Sequence, residues 1–356
     1  MSRRPLNLAG NKNRFRTLTI ENLEVRQLLS ANQVGGSVNQ TAPGSIGPVL
    51  PAPIVYDANT HTLTLNGGSG ADVATVTVDT KGTGTINDDQ IVATITTGGK
   101  TTTLAVNRIA NLNTAAAAVT DIVFNGFAGN DSFTNKTAIN CEAHGGDGDD
   151  TLIGGYGYNY LYGDAGNDTL TGSDFGNRIE GGAGNDTITS GAMADIIFGG
   201  DGDDHIDAGN GNNYVDGGIG KDSIKCGVGD DSILGGDGDD GIDAGAGNDL
   251  VYGGNGNDFI LGGAGNDTLY GEAGDDTIDG GVGADIVRGG AGNDTLYGQK
   301  GNFFGRDAKQ NYTGEGDMVY GDDGDDILYV GINDYADGGV GQNVINIAVH
   351  GDRGLR

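Results

Sequence analysis

The most regular feature of the chain is an apolar residue that returns at every ninth position. Residues 145–306 divide into 18 consecutive nonapeptides, and the eighth position of the first 17 is always Leu, Ile or Val. Leu152, Leu161 and Ile206 are examples, whereas Gly305 breaks the rule in the last nonapeptide. Such a fixed apolar phase predicts one short strand in each nonapeptide, with the apolar side chain pointing into a core.

The remaining positions of the nonapeptide predict how these strands are joined. The consensus is G-G-x-G-x-D-x-U-x, in which U is the aliphatic residue. The six residues GGxGxD form a turn, because Gly adopts the left-handed backbone that β-branched residues avoid. Two nonapeptides complete a coil of 18 residues, and successive coils stack at the ~4.8 Å spacing of paired strands. The predicted fold is all-β, a parallel β-roll (β-helix) solenoid.

This nonapeptide resembles the calcium-binding repeat of the RTX (repeats-in-toxin, hemolysin-type) family. The resemblance covers residues 145–306 in full register and residues 126–346 with irregularities. It implies that calcium ions lie between stacked turns, held by the carboxylates of position-6 aspartates and by turn carbonyls. Calcium takes six to eight oxygen ligands of this kind, and its binding free energy then becomes folding free energy.

Position 6 divides the array into two edges, because residues 18 apart stack on the same edge of the coil. The odd nonapeptides place there Asp150, Asp168, Asp186, Asp204, Asp222, Asp240, Asp258, Asp276 and Asp294. The even nonapeptides place there Asn159, Asn177, Asp195, Asn213, Asp231, Asp249, Asp267, Asp285 and Phe303. Eight stacked Asp pairs on the first edge and three on the second predict about eleven strong calcium sites. An Asn oxygen is neutral, so weaker sites are expected where Asn replaces Asp.

Irregular repeats extend this array in both directions. Residues 126–134 fit the consensus and place Asp131 at position 6. After residue 306, an insertion of five residues precedes YTGEGDMVY and GDDGDDILY, which offer Asp317 and Asp326 as further metal ligands. Asn343 is the position-6 residue of a last repeat that is predicted to cap the array. The calcium-binding β-roll is therefore predicted to cover residues 126–346, followed by a tail of residues 347–356.

Three further segments are predicted before the array. Residues 54–125 contain β-branched, often alternating runs separated by turn signals, which predict a small β-rich capping domain. Residues 31–53 hold four of the five Pro and indicate a linker. Residues 1–30 are basic and targeting-like, although they lack the apolar run of a secretory signal.

One stretch of the basic segment resembles a known export motif. Residues 23–31, LEVRQLLSA, are similar to the LEPR-XLL motif at the N-termini of large exported proteins of planctomycetes and some other bacteria. Val25 stands where that family usually has Pro. The resemblance implies an extracellular or cell-surface location, and the alternative is a short amphipathic segment without a targeting role. No stretch approaches the 18 apolar residues that a membrane span needs.

The charge of the chain gives an independent reason to expect a cation. Asp and Glu number 50 against 19 Lys and Arg, a net charge of −31. So large a like charge opposes a compact state unless cations neutralise it, and it argues against an anionic nucleic acid as partner. The 71 Gly would otherwise indicate low complexity and disorder, but a random sequence does not hold one apolar phase for 17 periods.

The sequence favours a structural role over catalysis. It contains no H-E-x-x-H and no G-x-S-x-G, and carboxylate pairs such as Asp149-Asp150 recur in the turns as metal ligands would. We expect no enzyme, but a secreted or cell-surface structural or adhesive protein that folds on binding calcium. The alternative is a non-catalytic, calcium-dependent module of a secreted toxin or of a polysaccharide-modifying enzyme system.

The outward face of the even nonapeptides is the candidate surface for a partner. Its strands carry an apolar and aromatic stripe that includes Tyr162, Phe198, Leu234, Tyr252 and Tyr270. Such a stripe fits a polysaccharide, a cell-surface component or a second copy of the chain. The competing interpretation is that residues of high β-propensity simply fill the strands.

Overall fold

The computed structural model describes residues 52–79, 90–107, 119–298, 316–331 and 333–347. These residues form strands and turns, and two sheets contain all the strands. In spatial order, sheet A consists of β1 (Ile54–Asp57), β2 (Thr62–Asn66), β6 (Asp121–Ala128), β8 (Asn140–Asp147), β10 (Asn159–Ala165), β12 (Asn177–Ala183), β14 (Ile196–Asp201), β16 (Tyr214–Ile219), β18 (Ser232–Asp237), β20 (Leu250–Asn255), β22 (Thr268–Ala273), β24 (Ile286–Ala291), β26 (Met318–Asp323) and β28 (Tyr335–Asp337).

Sheet B lies along the same array and contains the strands that come between those of sheet A in the sequence. In spatial order it consists of β5 (Lys100–Asn107), β4 (Gln90–Thr97), β3 (Val73–Asp79), β7 (Ser132–Asn135), β9 (Thr151–Ile153), β11 (Thr169–Thr171), β13 (Thr187–Thr189), β15 (His205–Gly209), β17 (Ser223–Cys226), β19 (Gly241–Asp243), β21 (Phe259–Ala264), β23 (Thr277–Val282), β25 (Thr295–Tyr297), β27 (Ile327–Val330) and β29 (Val344–Ile347). The chain thus alternates between the two sheets, one strand at a time, from β6 onward.

The pairing register follows the nonapeptide period. Leu161 pairs with Ile179 in sheet A and Leu170 pairs with Ile188 in sheet B, both in parallel and both 18 residues apart. The result is a parallel β-solenoid of about twelve turns. The predicted fold class is therefore confirmed, and each coil consists of two nonapeptides. Among the described residues, no helix has the length and apolar character needed to cross a membrane.

The core is a single column of aliphatic side chains between the two sheets. Every described position-8 residue of the array is buried, from Leu152 and Leu161 to Val287 and Leu296. Toward the N-terminus the column widens, because Phe124 and Phe133 stack with ring centroids 5.0 Å apart. Side chains of this kind hold the coils together, but they place one buried aliphatic residue per strand beside a much larger polar turn.

The strands before the array extend its two sheets. β2 pairs in parallel with β6, and β3 pairs in parallel with β7, so β2 and β3 form the first coil. β1 adds an antiparallel edge to sheet A, and β4 and β5 add an antiparallel pair to sheet B. β6 runs across the boundary predicted at residues 125 and 126. The predicted targeting-like segment, almost all of the predicted linker and all of the tail except Ile347 lie outside the described residues.

The predicted frame is wrong at its last nonapeptide. Ile286 of β24 pairs with Met318 of β26, 32 residues later, and not with a residue of the next nonapeptide. Asp317 therefore takes the stacked position-6 place after Asp285, which the count along the sequence gave to Phe303. Phe303 itself lies outside the described residues. The physical reason is the core: Gly305 offers no side chain to fill it, whereas Val319 does and is fully buried.

Candidate metal centre

The turns of the solenoid form two edges, and we name them after the nonapeptides that supply them. The odd edge contains the turns from sheet A to sheet B, and the even edge contains the turns from sheet B to sheet A. On the odd edge the position-6 aspartates form one buried column that begins earlier than predicted, at Asp72, and ends at Asp326: Asp72, Asp131, Asp150, Asp168, Asp186, Asp204, Asp222, Asp240, Asp258, Asp276, Asp294 and Asp326.

In every odd-edge aspartate after Asp72, one carboxylate oxygen is held by the neighbouring coil. The backbone N–H of Asp150 donates to Oδ1 of Asp168 at 2.7 Å, and the N–H of Asp168 donates to Oδ1 of Asp186 at 2.7 Å. The same bond recurs from Asp72 to Asp326, with lengths between 2.6 and 3.0 Å. Each aspartate therefore closes a backbone donor of the preceding coil and is fixed in orientation by it.

The second carboxylate oxygen, Oδ2, has no hydrogen-bond partner along most of this column. It is buried and without a partner in Asp131, Asp150, Asp168, Asp186, Asp204, Asp222, Asp240, Asp258, Asp276, Asp294 and Asp326. A buried carboxylate oxygen without a partner carries a large desolvation cost. So regular a set of such oxygen atoms indicates that the turns are built for a cation.

The Gly at position 1 explains where a cation has room. A Cβ on Gly145 would lie 2.2 Å from Oδ2 of Asp150 and 2.7 Å from the carbonyl oxygen of Gly163, one coil further. Gly235 shows the same geometry, with 2.5 Å to Oδ2 of Asp240 and 2.5 Å to the carbonyl oxygen of Gly253. Position 1 thus leaves a space that is lined by a carboxylate and a carbonyl oxygen, and any side chain would fill it.

The protonation of the odd-edge column reflects its burial. Burial raises the pKa of Asp204, Asp240 and Asp276 to about 7, and neighbouring carboxylates raise it further while the backbone N–H on Oδ1 lowers it. Burial also raises the pKa of Asp150 and Asp222 to about 6. The charged form of these groups is therefore poorly stabilised by the protein alone.

This donor set suits calcium better than a transition metal. Carboxylate and carbonyl oxygens converge on each turn, and hard cations such as calcium take such ligands. In the part of the chain that the structure describes, no three His, Cys, Asp or Glu side chains group together as a side-chain metal site would need. A cation here would draw on backbone carbonyls as well as carboxylates, and it would supply the positive charge that the buried column lacks.

The even edge is not uniform, and its first turns contain Asn at position 6. Nδ2 of Asn159 donates to the carbonyl oxygens of Gly155 and Gly157 at 3.2 and 3.0 Å. Nδ2 of Asn177 donates in the same way to Ser173 and Phe175. In these turns an amide N–H₂ occupies the place that an aspartate gives to Oδ2.

The middle turns of the even edge differ at position 1. Where the odd edge has Gly throughout the array, the even edge has Ser190, Ala208, Cys226 and Ala244. Ala208 and Ala244 are fully buried, so their methyl groups fill the space that the odd-edge Gly leaves beside the position-6 residue. Cys226 and Cys141 are buried free thiols. Of the three strong even-edge pairs expected from the sequence, Asp231/Asp249 and Asp249/Asp267 thus include a turn with a side chain at position 1.

The last turns of the even edge return to the geometry of the odd edge. Position 1 is Gly262, Gly280 and Gly298, and a Cβ on Gly262 would lie 2.7 Å from Oδ2 of Asp267. The N–H of Asp285 donates to Oδ1 of Asp317 at 3.0 Å, and the N–H of Asp317 donates to Asp334 at 3.2 Å. All seventeen aspartates predicted as metal ligands lie at position 6 of a turn. Three of them, Asp195, Asp231 and Asp249, have a side chain larger than Gly at position 1 of their turn.

Sequence reasoning missed two members of the columns. Asp72 ends the odd-edge turn of the first coil, and its N–H donates to Oδ1 of Asp131 at 2.7 Å. Its signal was present, since residues 67–72 read GGSGAD, a complete turn motif that is isolated from the array by β3, β4 and β5. Asp334 ends the even edge in an eight-residue unit, and there the motif offers no signal.

The stripe of sheet A packs against itself. The rings of Tyr252 and Tyr270 stack with centroids 4.8 Å apart and an interplanar angle of 6°. The guanidinium group of Arg178 lies 4.8 Å from the ring centroid of Phe198. Ring faces that contact the next coil are covered, so the stripe turns mainly its ring edges outward.

Comparison with known proteins agrees with this geometry. A family model described as the RTX calcium-binding nonapeptide repeat matches residues 144–175, 171–192, 189–224, 227–251, 252–287 and 280–302. No curated protein matches the chain. The array is thus a module of RTX calcium-binding repeats, whereas the turns ending at Asp72, Asp131, Asp317 and Asp326 lie outside the matched residues.

Proposed function

We propose that this chain is a non-catalytic structural or adhesive protein whose solenoid folds when calcium ions bind between stacked aspartate turns. The observation that carries the proposal is the column of buried Oδ2 atoms on the odd edge, which have no hydrogen-bond partner. The ligands would be Oδ2 of the position-6 aspartates together with turn carbonyls. Bound calcium supplies positive charge, and the chain's own residues fix the carboxylates through the N–H bond on Oδ1.

The number of ions follows from the stacked aspartate pairs. The expectation from the sequence was about eleven strong sites, eight on the odd edge and three on the even edge. Stacking adds the pairs Asp72/Asp131, Asp131/Asp150 and Asp294/Asp326 to the odd edge. We therefore propose eleven sites on the odd edge, which offers a carboxylate, an open position 1 and a neighbouring carbonyl in nearly every turn, and fewer on the even edge.

An extracellular or cell-surface location fits the calcium requirement. Calcium binding by sites of this kind needs a compartment in which calcium is abundant, and extracellular modules bind with Kd values of about 10⁻⁴–10⁻³ M. The LEPR-XLL-like segment at residues 23–31 supports export. The alternative function, a calcium-dependent module beside a toxin or a polysaccharide-modifying enzyme, shares the same metal sites and differs only in its partner.

A second candidate function is attachment to a polysaccharide, a cell-surface component or another copy through the stripe of sheet A. Several apolar side chains of that sheet are exposed, with Tyr160 48% and Ile196 44% exposed. The stacked rings of Tyr252 and Tyr270 weaken it, because sugars dock on open ring faces. Calcium-dependent folding is therefore the primary proposal, and attachment would require the folded solenoid.

Circular dichroism with and without calcium tests the primary proposal. In chelator at pH 8, the full chain should lose most of its strand signal, and calcium should restore it, because the buried carboxylates are charged at this pH and need a cation. Equilibrium dialysis against calcium should then give about ten or more bound ions per chain. Equal strand content after chelation, or a stoichiometry of one to three ions, would refute the proposal.

A further inference from the structure

The first turns of the even edge contain side-chain amides, of Asn159 and Asn177, that donate hydrogen bonds to the turn carbonyls. We propose that Asn159 and Asn177 close their turns with the side-chain amide in the place where an aspartate turn takes calcium, so these turns need no metal ion. This inference rests on the proposed calcium function, which it deepens by assigning the residues that exclude metal from part of the array. It replaces the expectation of weak calcium sites at these asparagines.

The hydrogen bonds of the two amides carry the inference. Nδ2 of Asn159 donates to the carbonyl oxygens at positions 2 and 4 of its own turn, Gly155 and Gly157. Nδ2 of Asn177 donates to the same two positions of the next even turn, at 2.9 Å to Ser173 and 2.6 Å to Phe175. An aspartate at this place would set a carboxylate oxygen against two carbonyl oxygens, and only a cation could hold them together.

The orientation of each amide follows from its other contacts. Oδ1 of Asn159 accepts from the N–H of Gly155 at 3.0 Å and from the Cys141 thiol at 3.1 Å. Oδ1 of Asn177 accepts from the N–H of Ser173 at 3.2 Å. A flipped amide would set N–H₂ against N–H donors and oxygen against carbonyl oxygens, so the hydrogen-bond network allows only one orientation.

The amides also link successive coils. Nδ2 of Asn159 donates to Oδ1 of Asn177 at 2.8 Å, and Nδ2 of Asn177 donates to Oδ1 of Asp195 at 2.8 Å. Asn159 and Asn177 are 1% and 5% exposed, so these bonds lie away from water. Direct donor–acceptor bonds between successive coils of the even edge thus replace the bridge that calcium would make between two carboxylates.

The charge of the turn that ends at Asn159 points the same way. The turn that ends at Asn159, GGYGYN, contains no charged residue, whereas the odd-edge turn that ends at Asp150, GGDGDD, contains three carboxylates. In place of acids the even turn presents Tyr156 and Tyr158, which are 70% and 56% exposed. A cation beside Asn159 would therefore meet no carboxylate within this turn, whereas the turn that ends at Asn177, GSDFGN, contains one acid, Asp174.

A matched pair of double variants tests the inference on the full chain. Asn159→Asp/Asn177→Asp restores the position-6 carboxylates, and Asn167→Asp/Asn185→Asp adds the same charge at the exposed position 5 of the odd edge. In equilibrium dialysis at saturating calcium, the first variant should bind about two ions more than the wild type, and the second should bind none more. An equal stoichiometry in the first variant and the wild type would overturn the inference.

The converse exchange keeps the test decisive if the first variant does not fold. Asp267 lies in an even-edge turn with Gly262 at position 1, so Asp267→Asn should lose calcium but gain the amide bonds, whereas Asp267→Ala loses both. At saturating calcium, Asp267→Asn should keep a higher thermal midpoint than Asp267→Ala, by several degrees. Equal midpoints would contradict the amide's role. A wild type that binds no calcium would overturn the proposed function itself, which is a different result from a wild type that binds many ions while the first variant gains none.

Discussion

The two edges of the solenoid come from the same nonapeptide and the same backbone period, yet they differ in what lies beside the core. On the odd edge, position 1 is Gly and position 6 is Asp in turn after turn from Gly67 to Asp326. On the even edge, the first turns hold amides, the middle turns hold small side chains at position 1, and the last turns repeat the odd-edge geometry. Stacking is common to both edges, since the N–H to Oδ1 bond occurs in each. The coil is therefore set by the core and the backbone, whereas positions 1 and 6 decide whether a turn needs a cation.

The largest expected effect is that of pH, because it acts on every buried aspartate at once. Folded, metal-free aspartates of the odd edge have pKa values raised to about 6 or 7 by burial, against an ordinary value of 3.8. Since the folded pKa is above the unfolded one, these groups oppose metal-free folding at high pH, and stability is lost as pH rises from about 4 through 7. In calcium-free buffer, circular dichroism should therefore show more strand at pH 5 than at pH 8.

The same titration has the opposite consequence when calcium is present. Protons compete with calcium for these carboxylates, so the calcium concentration that half-saturates the sites in equilibrium dialysis should rise as pH falls from 7 to 5. Because most of the pKa values raised to 6 or 7 belong to odd-edge residues, the even edge should contribute less to this dependence. A calcium midpoint that does not change between pH 5 and pH 8 would contradict the assignment of the buried aspartates as ligands.

A comparison of alanine double variants within the same coils isolates the metal from the hydrogen bonds. Asp222→Ala/Asp240→Ala on the odd edge and Asn213→Ala/Asp231→Ala on the even edge each leave two backbone N–H groups without an acceptor. That loss costs about 1–3 kcal/mol for each buried donor in either variant. Only the odd-edge variant also loses two carboxylates beside an open position 1, so its calcium midpoint should rise by about tenfold, equivalent to about 1.4 kcal/mol more.

Calcium titrations followed by circular dichroism measure both midpoints under identical conditions. The even-edge variant is the control for the lost N–H acceptors and should shift the midpoint by clearly less. Equal shifts of the calcium midpoint in the two variants would contradict the proposed difference between the edges.

Position 1 offers a smaller change that tests the same comparison. A Cβ on Gly235 would lie 2.5 Å from both Oδ2 of Asp240 and the carbonyl oxygen of Gly253, so Gly235→Ala should fill the space proposed for the ion. We expect the loss of about one bound ion and a destabilisation of about 1–3 kcal/mol from overpacking. Ala244→Gly makes the reverse change on the even edge and should add rather than remove calcium there. Equilibrium dialysis of the two variants decides, and a Gly235→Ala chain with wild-type stoichiometry would contradict the role of position 1.

Much of this architecture could be predicted from the sequence, because one apolar residue in nine positions fixes both the strands and the side of each strand that faces the core. Leu152 and Leu161 are buried as predicted, and the odd-edge aspartates from Asp150 to Asp294 do form one column. The prediction failed at the last nonapeptide, where a constant spacing along the sequence does not identify the residue that stacks on Asp285. Ile286 pairs with Met318, 32 residues later, so Asp317, and not Phe303, follows Asp285.

Other features could not be read from the sequence, for physical reasons. Asp72 belongs to the column because β3 pairs with β7 as well as with β4. This pairing joins segments that are distant in the sequence, so no local pattern predicts it. The amide bonds of Asn159 depend on which carbonyls converge on Nδ2, so composition suggested a weak calcium ligand where the geometry has a donor. The side chains at position 1 were visible as departures from Gly, but their meaning required the distance from a Cβ to Oδ2.

The smallest expected effect comes from changes on the outer face of sheet A, which belongs to neither edge. Tyr252→Ser/Tyr270→Ser removes one stacked ring pair, which contributes about 0.5–1.5 kcal/mol, so the calcium midpoint should change little. If the stripe attaches the folded chain to a polysaccharide or a surface, the variant should show weaker retention on glycan or cell-wall material. If the stripe binds another copy, the variant should show a lower mass in analytical sedimentation. Tyr297 and Tyr329 form an equivalent stacked pair on sheet B, with centroids 4.7 Å apart, and Tyr297→Ser/Tyr329→Ser is therefore the matched control. Unchanged attachment in both variants would leave ring stacking between coils as the role of these tyrosines, and would place the function of the molecule in its calcium edges.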